Sequence, residues 1–529
     1  MTSRRAHWLD GTVLVLVALL LVLPLRTPVN VYDEGNILVA SQRLLAGDAP
    51  YRDFWGVYPP GQLWAVAGAL SISGHEVIGP RIFDTAVRLA TVAATFSLVR
   101  RLAGRPLALA VAATVGIALA AVGRHYLYPV QPAMLAAVIA LLVWLRTFDR
   151  TSRAAGARAA VGSGALLGVS ALFRWDIAGY AATGLLLAGL LASLNPDRRR
   201  ATHAKEALVL GAAAAVVVAT LGYAATALSS GVGPLLDQVF VFPLTGLHDA
   251  RRLPVPRPWD LSLDPGSTWA LFYLLVVLLV VLGLSVAAIL VRARARLDVR
   301  QLALVALTGL AVSALAQGLS RTDRSHLLPA TLAAVIALTV LVAERHESRR
   351  LLGPLARLLP IVLAVALAAT SFVGLRVVVR DAIRYPATRC QSSLPAASCV
   401  FLSPDQQAAI RFVAQESRPA EPILVANRQN ARISVNDSSF YFLADRRPAT
   451  PYAELHPGVA DTLVVQTQIV DRLQRDRVRW VVLVTMPDSK EPNLSSRGYG
   501  VTVLDDHLRS HYTPRFDEGA YEVLELSKS

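Results

Sequence analysis

The stretch Gly11-Thr12-Val13-Leu14-Val15-Leu16-Val17-Ala18-Leu19-Leu20-Leu21-Val22-Leu23-Pro24-Leu25 carries no charged side chain, and how it is read decides the fold. A helix needs about 20 largely apolar residues to cross a bilayer, and this run, begun near Leu9, supplies most of one. The rest of the chain agrees. Of its 529 residues 54% are hydrophobic and 17% charged, where a soluble chain carries about a quarter charged. Aromatics make up only 7%, so the apolar bulk is Leu, Ala and Val. One soluble globule, a collagen-like rod and a disordered chain are all excluded. The sequence describes a polytopic α-helical membrane protein.

About eleven such runs follow one another, starting near Leu9, Gly79, Pro106, Tyr128, Ala159, Ile177, Leu208, Trp269, Gln301, Leu327 and Ala356. Arginine placement tests the count, because cytoplasmic connections are basic. Arg4 and Arg5 precede the first run; Arg100, Arg101 and Arg105 follow the second. Arg150, Arg153 and Arg158 follow the fourth, and Arg198, Arg199, Arg200 and Lys205 the sixth. Arg292, Arg294, Arg296 and Arg300 follow the eighth; Arg345, Arg349 and Arg350 the tenth. Every second connection is basic without a break in phase. This predicts an integral protein of the cytoplasmic membrane, with its N-terminus inside and the segment after Arg380 outside. The first run is read as an anchor: no small-residue cleavage site follows Leu25, and removing the helix would spoil the phase. The net charge of +15 is thus a topology signal and not a nucleic-acid surface.

The expected domains are a transmembrane part over 1–380 and an extracytoplasmic α/β domain over 381–529. A first outer loop spans 27–78 and a second long one 229–267. In the C-terminal domain, Pro404 to Gln415 reads as a helix with Ser403 as N-cap. Ile423 to Ala426, Trp480 to Val484 and Tyr521 to Leu524 read as strands, with Asp471 to Arg475 in a helix. Cys390 and Cys399 are expected to form a disulfide in an oxidising compartment, the alternative being two free thiols. Gly-rich nucleotide loops are absent, so a nucleotide cofactor bound through such a loop is not indicated, and the motifs HExxH and GxSxG are absent as well.

The first outer loop carries the chemistry. Asp33 and Glu34 stand where the first span leaves the bilayer. They open a short helix in which Ile37, Leu38, Ser41, Leu44 and Leu45 recur at helical spacing, with Gly47 ending it. The pattern predicts a helix lying in the membrane interface. Its positive N-terminal end favours ionised carboxylates. Tyr51-Arg52-Asp53-Phe54-Trp55 then leads to the rigid turn Tyr58-Pro59-Pro60-Gly61. The order of apolar helix, acidic pair, Leu44-Leu45-Ala46-Gly47, Pro50-Tyr51-Arg52-Asp53-Phe54 and Pro59-Pro60-Gly61 resembles the first extracytoplasmic loop of GT-C superfamily glycosyltransferases. The branch it is most similar to is that of protein O-mannosyltransferases and the lipid A aminoarabinose transferase (glycosyltransferase family 39-like). The resemblance implies a transferase that passes a sugar from a polyprenyl-phosphate donor to an acceptor outside the membrane. An essential acid of the loop motif maps onto Asp33, with Glu34 beside it.

That chemistry needs few parts. One carboxylate accepts the acceptor's proton, and cations hold the departing phosphate, for which Arg offers a bidentate fork. A single displacement inverts the anomeric centre. Asp33 and Glu34 are the catalytic candidates, the alternative for Asp33 being a helix cap without chemistry. Asp53 is a possible second acid or metal ligand; a divalent ion could bridge acids and phosphate, but no ligand set stands out. Arg124, Arg174, Arg321, Arg324 and His326 are the phosphate candidates, since cations in short outer connections run against the orientation signal. Pairing with Asp176 and Asp323 is the alternative reason for two of them. Arg81, Asp84 and Arg88 share a face inside the second span, either as an ion pair or facing a cavity. The second long loop, with Asp237, His248, Asp249, Arg251 and Arg252, reads as a gate over the cavity, as a source of acceptor contacts or as a packed surface loop. The expected function is inverting sugar transfer from the lipid donor to an envelope glycan, lipid or protein. A non-catalytic lipid-glycan binder or transporter, or a lipid-linked oligosaccharide polymerase or ligase, is the other class.

Overall fold

The computed structural model describes residues 2–31, 33–122, 126–149, 152–262, 267–293, 296–344, 356–386, 392, 394–432 and 435–528. Each of the eleven apolar runs carries a helix. They are α1 Thr2–Val22, α4 Ile78–Ala103, α5 Arg105–Ala121, α6 Val130–Asp149, α7 Arg153–Phe173 and α8 Trp175–Ser193. α9 Arg198–Ser230, α13 Thr268–Ala293, α14 Val299–Ser320, α15 Arg324–Ala343 and α16 Leu359–Arg384 complete the set, with the short helices α10 Val232–Leu236, α11 Phe242–Leu244 and α12 Gly246–Arg251 in the second long loop. Among the described residues nine of the eleven are long and apolar enough to cross a membrane, all but α1 and the shorter α5. The last helix runs past residue 380 to Arg384.

Burial orders the bundle. α6, α14 and α15 form its centre, whereas α9 has only 6% of its apolar stretch covered. Val216, Val217, Leu221 and Leu228 of α9 point outward, which is stable only where the surroundings are as apolar as they are. Helices α7 and α9 approach closely because Gly164 and Gly168 lie against the α9 backbone; a Cβ at Gly164 would stand 2.0 Å from the Gly211 carbonyl.

The C-terminal domain follows α16. Its mixed sheet has the order β2-β1-β3-β5-β4, built from β1 Pro422–Asn427, β2 Arg447–Pro448, β3 Trp480–Val484, β4 Tyr512–Glu518 and β5 Tyr521–Leu526. β1 runs parallel to β2 and β3, and β5 antiparallel to β3 and β4. Helix α17 Pro404–Glu416 is capped by Ser403, α18 Ser439–Ala444 follows β1, and α19 Leu463–Arg475 makes the crossover to β3. Strands β1, β3 and β5 stand where apolar runs predict them. Strand β4 was not expected, because its exposed, polar YTPRFDE lacks any apolar run. Cys399 is a free thiol, and no disulfide forms among the described residues; Cys390 lies outside them.

The first loop contains α2 Asp33–Leu45 and α3 Pro60–Ser73. Helix α2 does not lie open on an interface as its one-sided periodicity predicts. Glu34 to Ser41 are all buried, as is Arg43, because the C-terminal domain covers the side turned away from the bundle. Arg43 donates to Asp48 at 2.7 Å, the Asp53 carbonyl at 2.8 Å and the Thr450 carbonyl at 3.3 Å, and its guanidinium stacks on Phe54. Asn36 reaches Glu454, and Gln42 reaches Asp445. Backbone meets backbone at Gly35, where a Cβ would stand 2.7 Å from the Ser439 nitrogen. Gly35→Ala is therefore expected to cost about 1–3 kcal/mol by forcing the domain away from the helix. A thermal melt of the purified variant, with limited proteolysis of the C-terminal domain, checks this; an unchanged melt would mean that the contact yields freely.

Candidate active site

Asp33 and Glu34 are neighbours with opposite surroundings, because adjacent helical residues point about 100° apart. Glu34 is fully buried. Both its oxygens receive Arg81, at 2.6 and 2.9 Å, and Oε2 also accepts the Asn30 N–H at 3.0 Å. Arg81 spends its remaining donors on the Leu25, Thr27 and Pro28 carbonyls, which the turn at Pro24 leaves without helical partners. Tyr126 lies between the Arg81 and Arg88 guanidinium groups, at 4.7 and 4.8 Å. Arg88 in turn donates to Asp84 at 2.7 Å. The charges of α4 thus form one buried brace that fixes where α1 ends and α2 begins.

Asp33 keeps partial exposure. Its Oδ1 accepts the Tyr58 hydroxyl. Burial and the Asp33 carboxylate hold the Tyr58 phenol well above its ordinary pKa, so it remains a donor. Tyr58 meets Tyr128 edge to face, and Arg174 donates to the Tyr128 hydroxyl at 3.2 Å. The Pro59-Pro60-Gly61 turn makes this row possible. A Cβ at Gly61 would stand 2.6 Å from the Leu172 carbonyl, so glycine lets the first loop press against the end of α7 beside Arg174.

Arg174 and Arg321 are built alike. Each has an extended backbone between two spans, and each pairs with the Asp two residues on, at the start of the next helix. Arg174 grips Asp176 at 2.8 and 2.5 Å. Arg321 holds Asp323 at 2.9 Å, the Arg251 carbonyl at 2.6 Å and Glu491 at 3.0 and 2.5 Å. Asp323 also takes His326, through both its N–H and its ring, and these partners pull its pKa far down. Arg324 is exposed, and Arg124 lies outside the described residues. Asp53 is bound within its own loop by Arg52, at 2.9 Å through each oxygen, and by the Ala49 N–H, which together hold its pKa near about 2. Among the described residues no three His, Cys, Asp or Glu side chains gather in a way that could hold a metal ion.

Two further segments close on Asp33. The second long loop is packed, not free: Trp175 donates to the Val239 carbonyl, Gln238 bridges Tyr51 and Gly56, and Arg321 binds the Arg251 carbonyl. The C-terminal domain adds Glu454 and His456. Asn36 donates to Glu454 at 2.8 Å, and burial together with the Asp33 charge pushes the Glu454 carboxyl up to about 8. His456 lies against Trp55 and Phe242, its pKa lowered to about 3 by burial and the nearby Arg251. Arg251 stands close enough to influence Glu454, His456 and Glu491, while among the described residues its guanidinium has no hydrogen-bond partner. Neither Glu454 nor His456 was recognisable beforehand. They lie over 400 residues beyond Asp33 in a loop of ordinary composition, and only folding brings them near.

No family model matches the chain, and no curated protein matches it in sequence. Solved structures do match. ArnT from Cupriavidus metallidurans in the apo state aligns with TM-score 0.56 at 16% identity, over 99% of this chain and 98% of that one. The same ArnT bound to undecaprenyl phosphate aligns with TM-score 0.52 at 14% identity, over 98% and 97%. The apo oligosaccharyltransferase of Archaeoglobus fulgidus aligns with TM-score 0.52 at 13% identity, over 90% of this chain and 69% of that one. The chain has the GT-C fold. At these identities the likeness is one of architecture: a polytopic GT-C bundle with a C-terminal domain containing a small sheet. Within that GT-C frame, Asp33, Tyr58, Tyr128, Arg174, Arg251, Arg321 and Glu454 come from six separate stretches of sequence.

Proposed function

We propose that this protein is a glycosyltransferase of the outer face of the cytoplasmic membrane. It moves a sugar from a polyprenyl-phosphate donor to a hydroxyl acceptor by one inverting displacement. The observation that carries this reading is the environment of Asp33: partly exposed at the start of a loop helix, hydrogen-bonded by Tyr58, with arginines close to its neighbours. It is supported by a fold shared with an ArnT that was solved with undecaprenyl phosphate bound.

Asp33 accepts the acceptor's proton as the acceptor oxygen attacks the anomeric carbon, and the bond to the phosphate oxygen breaks. Tyr58 orients the carboxylate. Glu34, with both oxygens on Arg81, has a positioning role and takes no proton. The departing phosphate is received on the side of Arg251 and Arg321. Among the described residues Arg251 has donors to spare, whereas Arg174 and Arg321 already hold carboxylates. Charge-assisted hydrogen bonds of this kind contribute about 1.5–3 kcal/mol each. Arg251→Ala is therefore expected to raise KM for the lipid donor by about 10–100-fold, leaving acceptor KM nearly unchanged. Steady-state kinetics of the purified protein with undecaprenyl-phosphate mannose and related donors test both claims. Turnover with none of a panel of polyprenyl-phosphate sugars would sink the transferase reading, and an unaltered donor KM would remove Arg251.

A further inference from the structure

The C-terminal domain sends one segment, Ala453 to Gly458, down against the first loop, and its side chains are unlike those of the domain's own core. Leu455 points into the sheet packing. Glu454 and His456, on either side of it, point instead toward Asp33 and Trp55. Glu454 Oε2 accepts Asn36, one turn along the helix from Asp33, while Oε1 has no hydrogen-bond partner among the described residues. His456 is 6% exposed; its Nδ1–H donates to the Pro457 carbonyl at 2.7 Å. That bond fixes the tautomer and leaves Nε2 as an acceptor with no partner among the described residues. Beside these groups stands an aromatic wall: Trp55 meets Phe242 at 5.4 Å and His456 at 5.6 Å.

We propose that Glu454 and His456, with the Trp55 face, form a binding site for a saccharide, and that this site receives the acceptor beside Asp33. The location rests on the transferase reading; the binding chemistry does not. The apolar wall suits the C–H face of a sugar ring. An open carboxyl oxygen and an open imidazole nitrogen suit its hydroxyls, which both donate and accept. Charge narrows the ligand class. With Glu454 titrating near about 8 and His456 near about 3, both groups are neutral at physiological pH. Two uncharged hydrogen-bonding groups fit a neutral polyol better than a phosphate or a carboxylate. Among the described residues the ionisable groups around Glu454 are Asp33 and Tyr58 of the first loop, Arg251 of the second, and His456 on its own segment.

The test uses the full-length protein in detergent, without lipid donor. Binding of the methyl glycosides of mannose, galactose, glucose and arabinose is followed by ligand-observed NMR titration. At least one is expected to bind, and Glu454→Ala to weaken it by about tenfold. Glu454→Gln keeps a neutral donor and acceptor, so it should bind nearly as the parent does near pH 7. Raising the pH toward about 9 ionises Glu454 and removes its donor, so parent binding falls while the Gln variant's stays level. Asp33→Asn removes the neighbouring negative charge and moves that fall to lower pH, which a merely structural Glu454 would not do. Should Glu454→Ala fail to fold, the Gln variant and the pH profiles decide. Absence of any glycoside binding, a pH-independent parent, or a Gln variant that keeps the pH fall would each overturn the inference. Glutamate-dependent binding together with no transfer from any lipid donor would leave it standing and sink only the transferase reading.

Discussion

Asp33→Asn is expected to lower sugar transfer by about 10²–10⁴-fold, the usual contribution of a positioned general base. The amide keeps the shape of the carboxylate and can still accept the Tyr58 hydroxyl, so the loop should fold as before. Donor KM should change little, because the residues proposed to receive the phosphate, Arg251 and Arg321, are separate from Asp33. This separates the variant from a folding defect: kcat falls, while the thermal melt and donor binding remain. Tyr58→Phe should be milder, at about tenfold in kcat, because it removes one orienting hydrogen bond and no base. Measured single-turnover rates near parental for Asp33→Asn would take Asp33 out of the mechanism.

The second large effect is on stability. Arg81→Leu leaves the Glu34 carboxylate fully buried without its cation and the Leu25 and Thr27 carbonyls without their donor. Removing one partner of a buried pair costs about 3–5 kcal/mol. The variant should therefore be poorly folded or show a much lower melting temperature in detergent. Glu34→Ala alone strands Arg81 in the same way, whereas the double change Glu34→Leu with Arg81→Leu should recover part of the loss. Non-additivity of that sign is the signature of a direct pair. Glu34→Gln distinguishes position from chemistry: whatever fraction folds should turn over substrate, unlike Asp33→Asn. Equal loss of kcat per folded molecule in both would make Glu34 a chemical participant.

How much of this was legible can be argued residue by residue. The spans were, since long apolar runs punctuated by arginine every second connection leave few alternatives. Parallel strands β1 and β3 were, because buried strands read as continuous apolar runs. Strand β4 was not: an edge strand exposed over most of its length has no apolar signature. Helix α2 showed a one-sided pattern, yet its polar side is buried by hydrogen bonds to residues over 400 positions away, which no local periodicity encodes. Glu34 and Asp33 look equivalent in sequence, and only the register of α2 against Arg81 separates them. The pairing of Arg174 with Asp176 and of Arg321 with Asp323 was visible as the alternative to phosphate binding; the donors that Arg251 keeps spare among the described residues were not, since they depend on how the second loop packs.

The cover over α2 has a consequence for biogenesis. Ser438, Ser439, Asp445, Thr450 and Glu454, which close upon this helix, leave the ribosome long after the eleven spans have been made. Until that portion docks, Asn36 and Arg43 lack the partners it brings, so the growing polypeptide passes through insertion with its first loop only partly assembled. A chain cut short before residue 438 would keep its apolar helices and leave α2 uncovered.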